Sequence, residues 1–348
     1  MKKNMKTMML TGLQAVEMRA MPEPAMKADT DVLLKLAVVG VCGSDIHYYT
    51  TGKIGSQVVQ YPFTVGHECA AVVERVGAAV TRVKPGDRVA VEPAMSCGQC
   101  DQCRSGRPNT CRRLKFLGCP GQAEGCLSEF LVMPQECCFP IEESMTFEQA
   151  ALSEPLAIGF YAVRRAMPMK GARVAILGAG PIGLSVLVCA RAMGAHAIYV
   201  SDKIDARLAV AKAAGAAWVG NPDKVCIVKE VSAREPLLLD AVFECCGEQS
   251  AIDEAIELIQ PGGKLMLVGI PRVDRVSFVI DRARRKELDI RNVRRQCECL
   301  HPTLALMASG LLNADFMITH RFRFDQTKEA FDLVAAYRDG VVKAMITF

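Results

Sequence analysis

An α/β architecture is what this sequence predicts: a β-rich, loop-rich portion beside a doubly wound parallel sheet. Three observations carry the prediction. Short apolar runs bounded by turn residues fill the chain up to about residue 150. From Arg173 onward, strand-like and helix-like segments alternate through six strands, the pattern of a parallel sheet covered on both faces. A cluster of glycines, Gly178, Gly180 and Gly183, stands at the first turn from strand to helix. The length of 348 residues suits two domains.

In the first portion, residues 32–39, 70–76 and 88–91 read as strands, with Lys84-Pro85-Gly86-Asp87 as a turn between two of them. Closely spaced cysteines interrupt this region and predict a lobe on its surface. The pattern changes after Glu154-Pro155. Residues 173–177 form an apolar strand, 181–193 a helix and 197–200 the next strand. Helix 204–214, strands 216–219 and 239–243, helix 249–259 and strand 264–268 follow. Helix 278–286 leads into strand 288–293, and the chain closes on a strand at 343–348. No internal repeat or low-complexity segment is visible.

Composition excludes several classes. Hydrophobic residues make up 51% and charged residues 23%, enough apolar material for two buried cores. A net charge of +4 is too mild to imply nucleic acid. The densest basic stretch, Arg282, Arg284, Arg285, Lys286, Arg291, Arg294 and Arg295, reads as a solvated helix face. The first residues lack the apolar core of an export signal, and no long apolar run suggests a membrane span. The sixteen cysteines would permit a disulfide framework in a secreted chain. Cys137-Cys138 and Cys245-Cys246 sit in apolar stretches, however, where reduced cysteine behaves as a small hydrophobe. A reducing, cytoplasmic setting is therefore expected.

Cys97, Cys100, Cys103 and Cys111 write C-x2-C-x2-C-x7-C, with Gly98 and Gly106 allowing tight turns. Four thiolates at this spacing can converge on one tetrahedral ion, and zinc accepts four sulfurs without strain. Such a site is closed to substrate, so a structural zinc is expected. The glycines carry a second signal. Gly178 permits a sharp turn, Gly180 lets backbone approach a pyrophosphate, and Gly183 lets the helix close on the strand. Pro181 and Ile182 open that helix, whose free N–H groups face the phosphates. Asp202, closing the second strand, can accept hydrogen bonds from ribose hydroxyls and would repel a 2′-phosphate, which favours NAD over NADP. Asp202 can also be read as the N-cap of the next helix. Lys203 weakens the exclusion of NADP, and Arg207 can cover the adenine or face solvent. Val268, Gly269 and Ile270 can offer backbone groups to the nicotinamide carboxamide.

Two shorter segments carry metal chemistry. Cys42 follows the strand at 32–39, and His67-Glu68 precedes the strand at 70–76. One thiolate, one imidazole and one carboxylate leave a coordination position open, as catalytic zinc requires. With Cys42-Gly-Ser-Asp-Ile-His-Tyr48, Gly52-Lys-Ile-Gly55, Gly66-His-Glu68, Lys84-Pro-Gly-Asp-Arg-Val89, Glu154-Pro-Leu156, the glycine cluster and Thr319-His-Arg-Phe322, the sequence resembles the zinc-dependent medium-chain alcohol dehydrogenases, in the sorbitol and polyol branch.

The resemblance implies a GroES-like catalytic domain made from both chain ends, residues 1–155 and 293–348, around a Rossmann NAD-binding domain at 156–292. It implies a catalytic zinc on Cys42, His67 and Glu68, with Glu154 reaching the metal directly or through water. Zinc-assisted oxidation of a polyol hydroxyl to a ketose, with hydride transfer to NAD+, is the expected reaction. Ser44 would take the hydroxyl proton and His47 pass it toward solvent. The alternatives make Ser44 an N-cap, His47 a surface residue and Glu154 the cap of a helix beginning after Pro155. Tyr48, Phe116, Glu154 and Arg295 match positions that touch substrate in this branch. Arg294 and Gln296 depart from its pattern, and the added positive charge would suit an aldonate such as idonate or galactonate. A homo-oligomer, tetramer or dimer, is implied, with no membrane or nucleic-acid partner. A zinc-lobe nucleic-acid-binding protein, with Arg104, Arg107, Arg112 and Arg113 beside the metal, would leave Cys42, His67, Glu68 and the glycines unused. A catalytically silent NAD-binding sensor would have no need of intact metal ligands.

Overall fold

The computed structural model describes residues 4–348, and packing divides the chain into two compact units. The first comprises Met1–Glu154, Leu300–Ala308 and Ile318–Phe348, and the second Pro155–Cys299 and Ser309–Met317. Residues 293–299 and 309–317 therefore pack with the nucleotide-type sheet, where the sequence had placed them with the chain ends.

The first unit is built on a seven-stranded sheet. Asp31–Gly40 lies at its centre and pairs antiparallel with Glu68–Val76 and with Phe130–Pro134. The C-terminal strand Lys343–Thr347 pairs with the other end of the same strand, Met345 opposite Gly40 and Ile346 opposite Val39. That register brings the last residues of the chain beside Glu68, which faces Gly40 from the opposite strand. Val32, Leu34, Val39 and Ile346 are buried in one core with Tyr49 and Phe331. The last two meet edge to face with ring centroids 5.4 Å apart, an arrangement worth about 1 kcal/mol beyond area burial.

Helix Gly43–Thr51 leaves the end of the central strand. Cys42 is its N-cap, and the Asp45 carboxylate accepts the Cys42 N–H at 3.1 Å, as a capping box does. Ser44 lies inside the first turn, which corrects its alternative reading as the N-cap. Gly52 ends the helix at φ 72°, a left-handed conformation that favours glycine. The turn at Lys84 to Asp87 forms as expected, with Gly86 at φ 91°.

The second unit holds six parallel strands in the spatial order Trp218–Gly220, Ala197–Ser201, Arg173–Leu177, Leu239–Glu244, Ile259–Leu267 and Asp289–Asn292. In chain order this is 3-2-1-4-5-6, the Rossmann arrangement, with its switch point beside the first strand. Several predicted bounds shift. The third strand begins at Trp218 rather than 216, and Ile259 belongs to the fifth strand rather than to the helix before it. The last helix is shorter, Ile280–Arg285. An unpredicted helix, Ile227–Arg234, buries Ile227 and Val231 one turn apart.

A larger correction concerns Pro155. The sequence reads it as a break, with Glu154 capping a helix that follows. Instead Pro155 lies inside helix Phe147–Ala166. An interior proline costs roughly 3 kcal/mol. Burial of Leu152, Leu156, Ala157 and Val163, all 0% exposed, outweighs that cost. Glu154 is thus a mid-helix residue, and the capping alternative falls.

Candidate metal and nucleotide sites

Cys42, His67 and Glu68 reach one point, their ligand atoms all within 4.8 Å of one another. Cys42 arrives from the end of the central strand, and His67 and Glu68 from the start of its antiparallel neighbour. Asp45, almost fully buried, ties the two arms together. One of its oxygens accepts the Cys42 N–H, and the other accepts the Gly66 N–H at 3.1 Å. The latter oxygen also stands 3.5 Å from His67 Nδ1. This leaves Nε2 as the nitrogen for a metal, with Nδ1 held by a carboxylate. Burial opposes protonation of His67, but Asp45 and the Cys42 sulfur outweigh it and raise its pKa well above the usual histidine range.

Glu68 is held from the far end of the chain. Lys343 Nζ donates to both carboxylate oxygens, at 2.6 and 2.8 Å, and to the Val41 carbonyl at 3.1 Å. Both side chains of this ion pair are 1% exposed. Burial works against the Lys343 charge, yet Glu68, Cys42 and Glu154 hold its pKa above the ordinary lysine value. A Cβ on Gly40 would collide with Glu68 Oε2, so glycine is what makes room for the carboxylate.

The donor set fits zinc. Asp45, Glu68 and Glu154 are all buried, and the Cys42 sulfur lies beside Glu68. A cysteine sulfur, an imidazole nitrogen and a carboxylate oxygen converging on one point are the mixed set that a catalytic zinc accepts. Glu154 is 6% exposed and close enough to act on Lys343. Ser44 Oγ donates to Cys42 Sγ at 3.3 Å. His47 follows three residues later on the same helix, half-buried. The predicted substrate residues divide between the units. Phe116 packs its ring 5.3 Å from that of His67, and Tyr48 follows Ser44 by one helical turn. Arg295 belongs to the second unit, where its backbone is left-handed at φ 52°. Its neighbour Arg294 is exposed.

The four-cysteine site forms within one short loop. Sγ separations are 3.6 Å for Cys100–Cys103, 3.8 Å for Cys100–Cys111 and 4.0 Å for Cys97–Cys103. Four sulfurs bound to one zinc stand roughly 3.8 Å apart, so the geometry fits. Gly98 and Gly106 take positive φ, 68° and 73°, at the two turns. Backbone N–H groups, that of Gln99 foremost, pull the Cys97 thiol down to about 6. Cys100 is lowered in the same way by the backbone at Cys103 and Arg112. Two arginines of this lobe serve the lobe itself: Arg112 grips Asp101 with two bonds of 2.6 and 2.8 Å, and Arg113 Nη2 points at Cys97 Sγ. The basic run near 282 is similarly occupied, with Arg284 and Arg285 on Asp281 and Arg282 on Glu257. Lys286 is not on a solvated face. Its ammonium donates to the carbonyls of Ile256, Glu257 and Ile259.

In the second unit Gly178, at φ 104°, turns the chain from the first strand into helix Pro181–Ala192. Its would-be Cβ is 3.0 Å from Cys246 Cβ, and a Cβ on Gly183 would strike the Gly178 carbonyl. Pro181 and Ile182 form the first helical turn. Asp202 is not the cap of the next helix, whose N-cap is Ile204. Instead its carboxylate accepts the N–H of Ala179 at 2.7 Å and that of Ile204 at 2.8 Å, fastening the glycine turn to the end of the second strand. Arg207 is buried, its guanidinium beside Gly180, which corrects the solvent-facing alternative. Lys203 is exposed and reaches toward Asp223. The N–H groups of Val268 and Gly269 both donate to the Glu244 carbonyl at 2.9 Å, so their donors already serve the loop, while Ile270 is 47% exposed. Sequence reasoning missed Asp45 and Lys343. Asp45 stands at the capping-box position after Cys42, and Lys343 is a lone charge in the apolar run from Val341 to Ile346.

Residues 28–143 match the alcohol dehydrogenase GroES-like domain, and residues 181–309 match the zinc-binding dehydrogenase family. The sorbitol dehydrogenase of Bacillus subtilis is 34% identical over 350 residues, covering 99% of this chain and 97% of that protein. The L-idonate 5-dehydrogenase of Vitis vinifera is 35% identical, covering 90% and 87%. An alcohol dehydrogenase of Escherichia coli CFT073 complexed with NADH has a TM-score of 0.91 at 29% identity, with 99% of each chain covered. The chain belongs to the zinc-dependent medium-chain dehydrogenases, in the sorbitol and polyol branch. It is an oxidoreductase of the GroES-like and Rossmann architecture, working with zinc and a nicotinamide nucleotide on a small alcohol. Among the described residues, no helix is long and apolar enough to cross a membrane.

Proposed function

We propose that the chain oxidises a secondary hydroxyl of a sorbitol- or xylitol-like polyol to a ketose, with NAD+ as acceptor. The observation that carries this reading is the convergence of Cys42, His67 and Glu68, with the Ser44 hydroxyl against the Cys42 sulfur. These three residues would hold the catalytic zinc, with Glu154 nearby, and Cys97, Cys100, Cys103 and Cys111 a structural one. A zinc held there would supply the Lewis acidity that lowers the pKa of a substrate hydroxyl, and NAD+ would supply the hydride acceptor. Ser44 Oγ takes the substrate proton as it releases its own, and His47, three residues along the same helix face, relays it toward solvent.

In the other unit, Gly178, Gly180, Pro181, Ile182 and Gly183 would cradle the pyrophosphate. Asp202 would bind the ribose and disfavour NADP, with Lys203 beside it and Arg207 against the adenine. Val268, Gly269 and Ile270 would line the nicotinamide end. Tyr48, Phe116, Glu154 and Arg295 are assigned to substrate. A cytoplasmic homo-oligomer, dimer or tetramer, completes the reading on the strength of the family resemblance.

A sugar acid is the second candidate substrate. It is supported by adjacent Arg294 and Arg295 and by the L-idonate 5-dehydrogenase relative. NADH formation from sorbitol, xylitol, idonate and galactonate separates the two. Higher kcat/KM for the polyols supports the first, and a preference for the aldonates supports the second. Failure of all four to reduce NAD+ contradicts both.

A further inference from the structure

The segment Gly52-Lys-Ile-Gly55 stands out in the sequence, yet neither metal chemistry nor nucleotide binding uses it. In the structure it opens a two-stranded hairpin, Lys53–Ile54 against Gln57–Val58. The hairpin folds back from the C-terminus of the helix that carries Ser44 and Tyr48. Its anchor is the glycine cap: Gly52 N–H donates to the Tyr48 carbonyl at 3.1 Å, and Val59 N–H returns to the Gly52 carbonyl at 2.8 Å. The fold-back sets the Gln57 side chain between two buried groups. Its Oε1 accepts the Tyr48 hydroxyl at 3.2 Å, and its Nε2 donates to Cys119 Sγ at 2.7 Å. Tyr48 and Cys119 themselves approach within 4.0 Å.

Two independent routes connect this cluster to the metal ligands. Tyr48 follows Ser44 by four residues, so both lie on one helix face. Cys119 N–H donates to the carbonyl of Phe116, whose ring packs against that of His67. Gln57 is only half-buried, unlike Tyr48 at 4% and Cys119 at 3% exposure.

We infer that Gln57 is a specificity-determining residue that reads a hydroxyl of the substrate beyond the one being oxidised. The inference rests on the polyol reading of the metal site. A glutamine amide has two N–H donors and two acceptor lone pairs. Cys119 uses one donor and Tyr48 one lone pair, which fixes the amide plane and leaves one of each for a ligand. A polyol hydroxyl both donates and accepts, so it can satisfy both. A carboxylate only accepts, so it can take the amide N–H but leaves the amide oxygen without a donor. The cluster of amide, phenol and thiol is neutral and suits an uncharged polyhydroxylated chain over an aldonate. Sites built to bond a substrate hydroxyl discriminate strongly against analogues that lack it, because the buried polar groups then stay unpaired.

The test compares wild type, Gln57→Leu and Gln57→Glu on sorbitol, galactonate and butan-2-ol, which has no hydroxyl beyond the one being oxidised. The Leu variant should lower the kcat/KM ratio of sorbitol to butan-2-ol about tenfold, the loss of about one hydrogen bond's discrimination. The Glu variant keeps the size and an acceptor, so it should retain more of that ratio while losing turnover of galactonate. A Leu variant that slows both alcohols by the same factor, or changes neither, overturns the inference. So does a Glu variant that gains on galactonate. Zinc content and thermal midpoint, measured on each variant, identify a folding defect, which would appear as an equal loss on every substrate and count against the role. A wild-type protein that reduces NAD+ with none of the three overturns the polyol reading itself, and that outcome is read without any variant.

Discussion

The two candidate metal sites of this protein are built in opposite ways. The four cysteines fall within one short loop, from Cys97 to Cys111, three half-buried and Cys111 buried, supported by backbone donors and Arg113. Cys42, His67 and Glu68 are assembled from separated strand ends, and their support comes from Asp45 nearby and from Lys343, 275 positions beyond Glu68. The first set supplies sulfur at every tetrahedral corner and is closed. The second supplies three unlike ligands in a buried, anion-rich setting and can leave a position open. A site that only holds a lobe together can be local. One that does chemistry needs ligands whose orientation and charge are set by the whole sheet.

The largest effect that would break this contrast is at Cys42. Cys42→Ala should lower polyol turnover by at least about a thousandfold while NADH binding, followed by fluorescence, persists. Turnover near wild type with one metal missing would move the chemistry elsewhere. Next comes Lys343→Met, which strands the Glu68 carboxylate in the core. Breaking a buried pair this way costs roughly 3–5 kcal/mol, and denaturant unfolding of the zinc-loaded protein measures it. A loss under about 1 kcal/mol would mean that the pair contributes little. In the other unit, Asp202→Ala should weaken NAD+ about tenfold more than NADP+, read as the ratio of their dissociation constants. An unchanged ratio would leave Asp202 as a fastener of the glycine turn alone.

The same contrast explains what was legible in the sequence. The four-cysteine loop and the glycine turn are encoded in contiguous residues, so their spacing is their geometry. The alternation of strands and helices reads as a parallel, doubly wound sheet because parallel neighbours need a crossover helix between them. Cys42, His67 and Glu68 emerged only as a set, since each alone is an ordinary residue after or before a strand. Lys343 was silent because its partner depends on the register of the last strand against Val39 and Gly40. Gln57 and Cys119 meet only because Gly52 turns the hairpin back. Pro155 misled for a different reason: local propensity opposes a helix there, and burial of its neighbours decides otherwise.

The smallest expected effect on chemistry is also the most direct test. Cys100→Ala should lose the zinc of the cysteine loop and some thermal stability. The measurement is polyol-dependent NADH formation per folded chain at one zinc per chain. Turnover within about threefold of wild type is the predicted result, because that metal stands apart from the reacting hydroxyl. A folded, one-zinc Cys100→Ala protein without turnover would contradict the assignment of the chemistry to Cys42, His67 and Glu68.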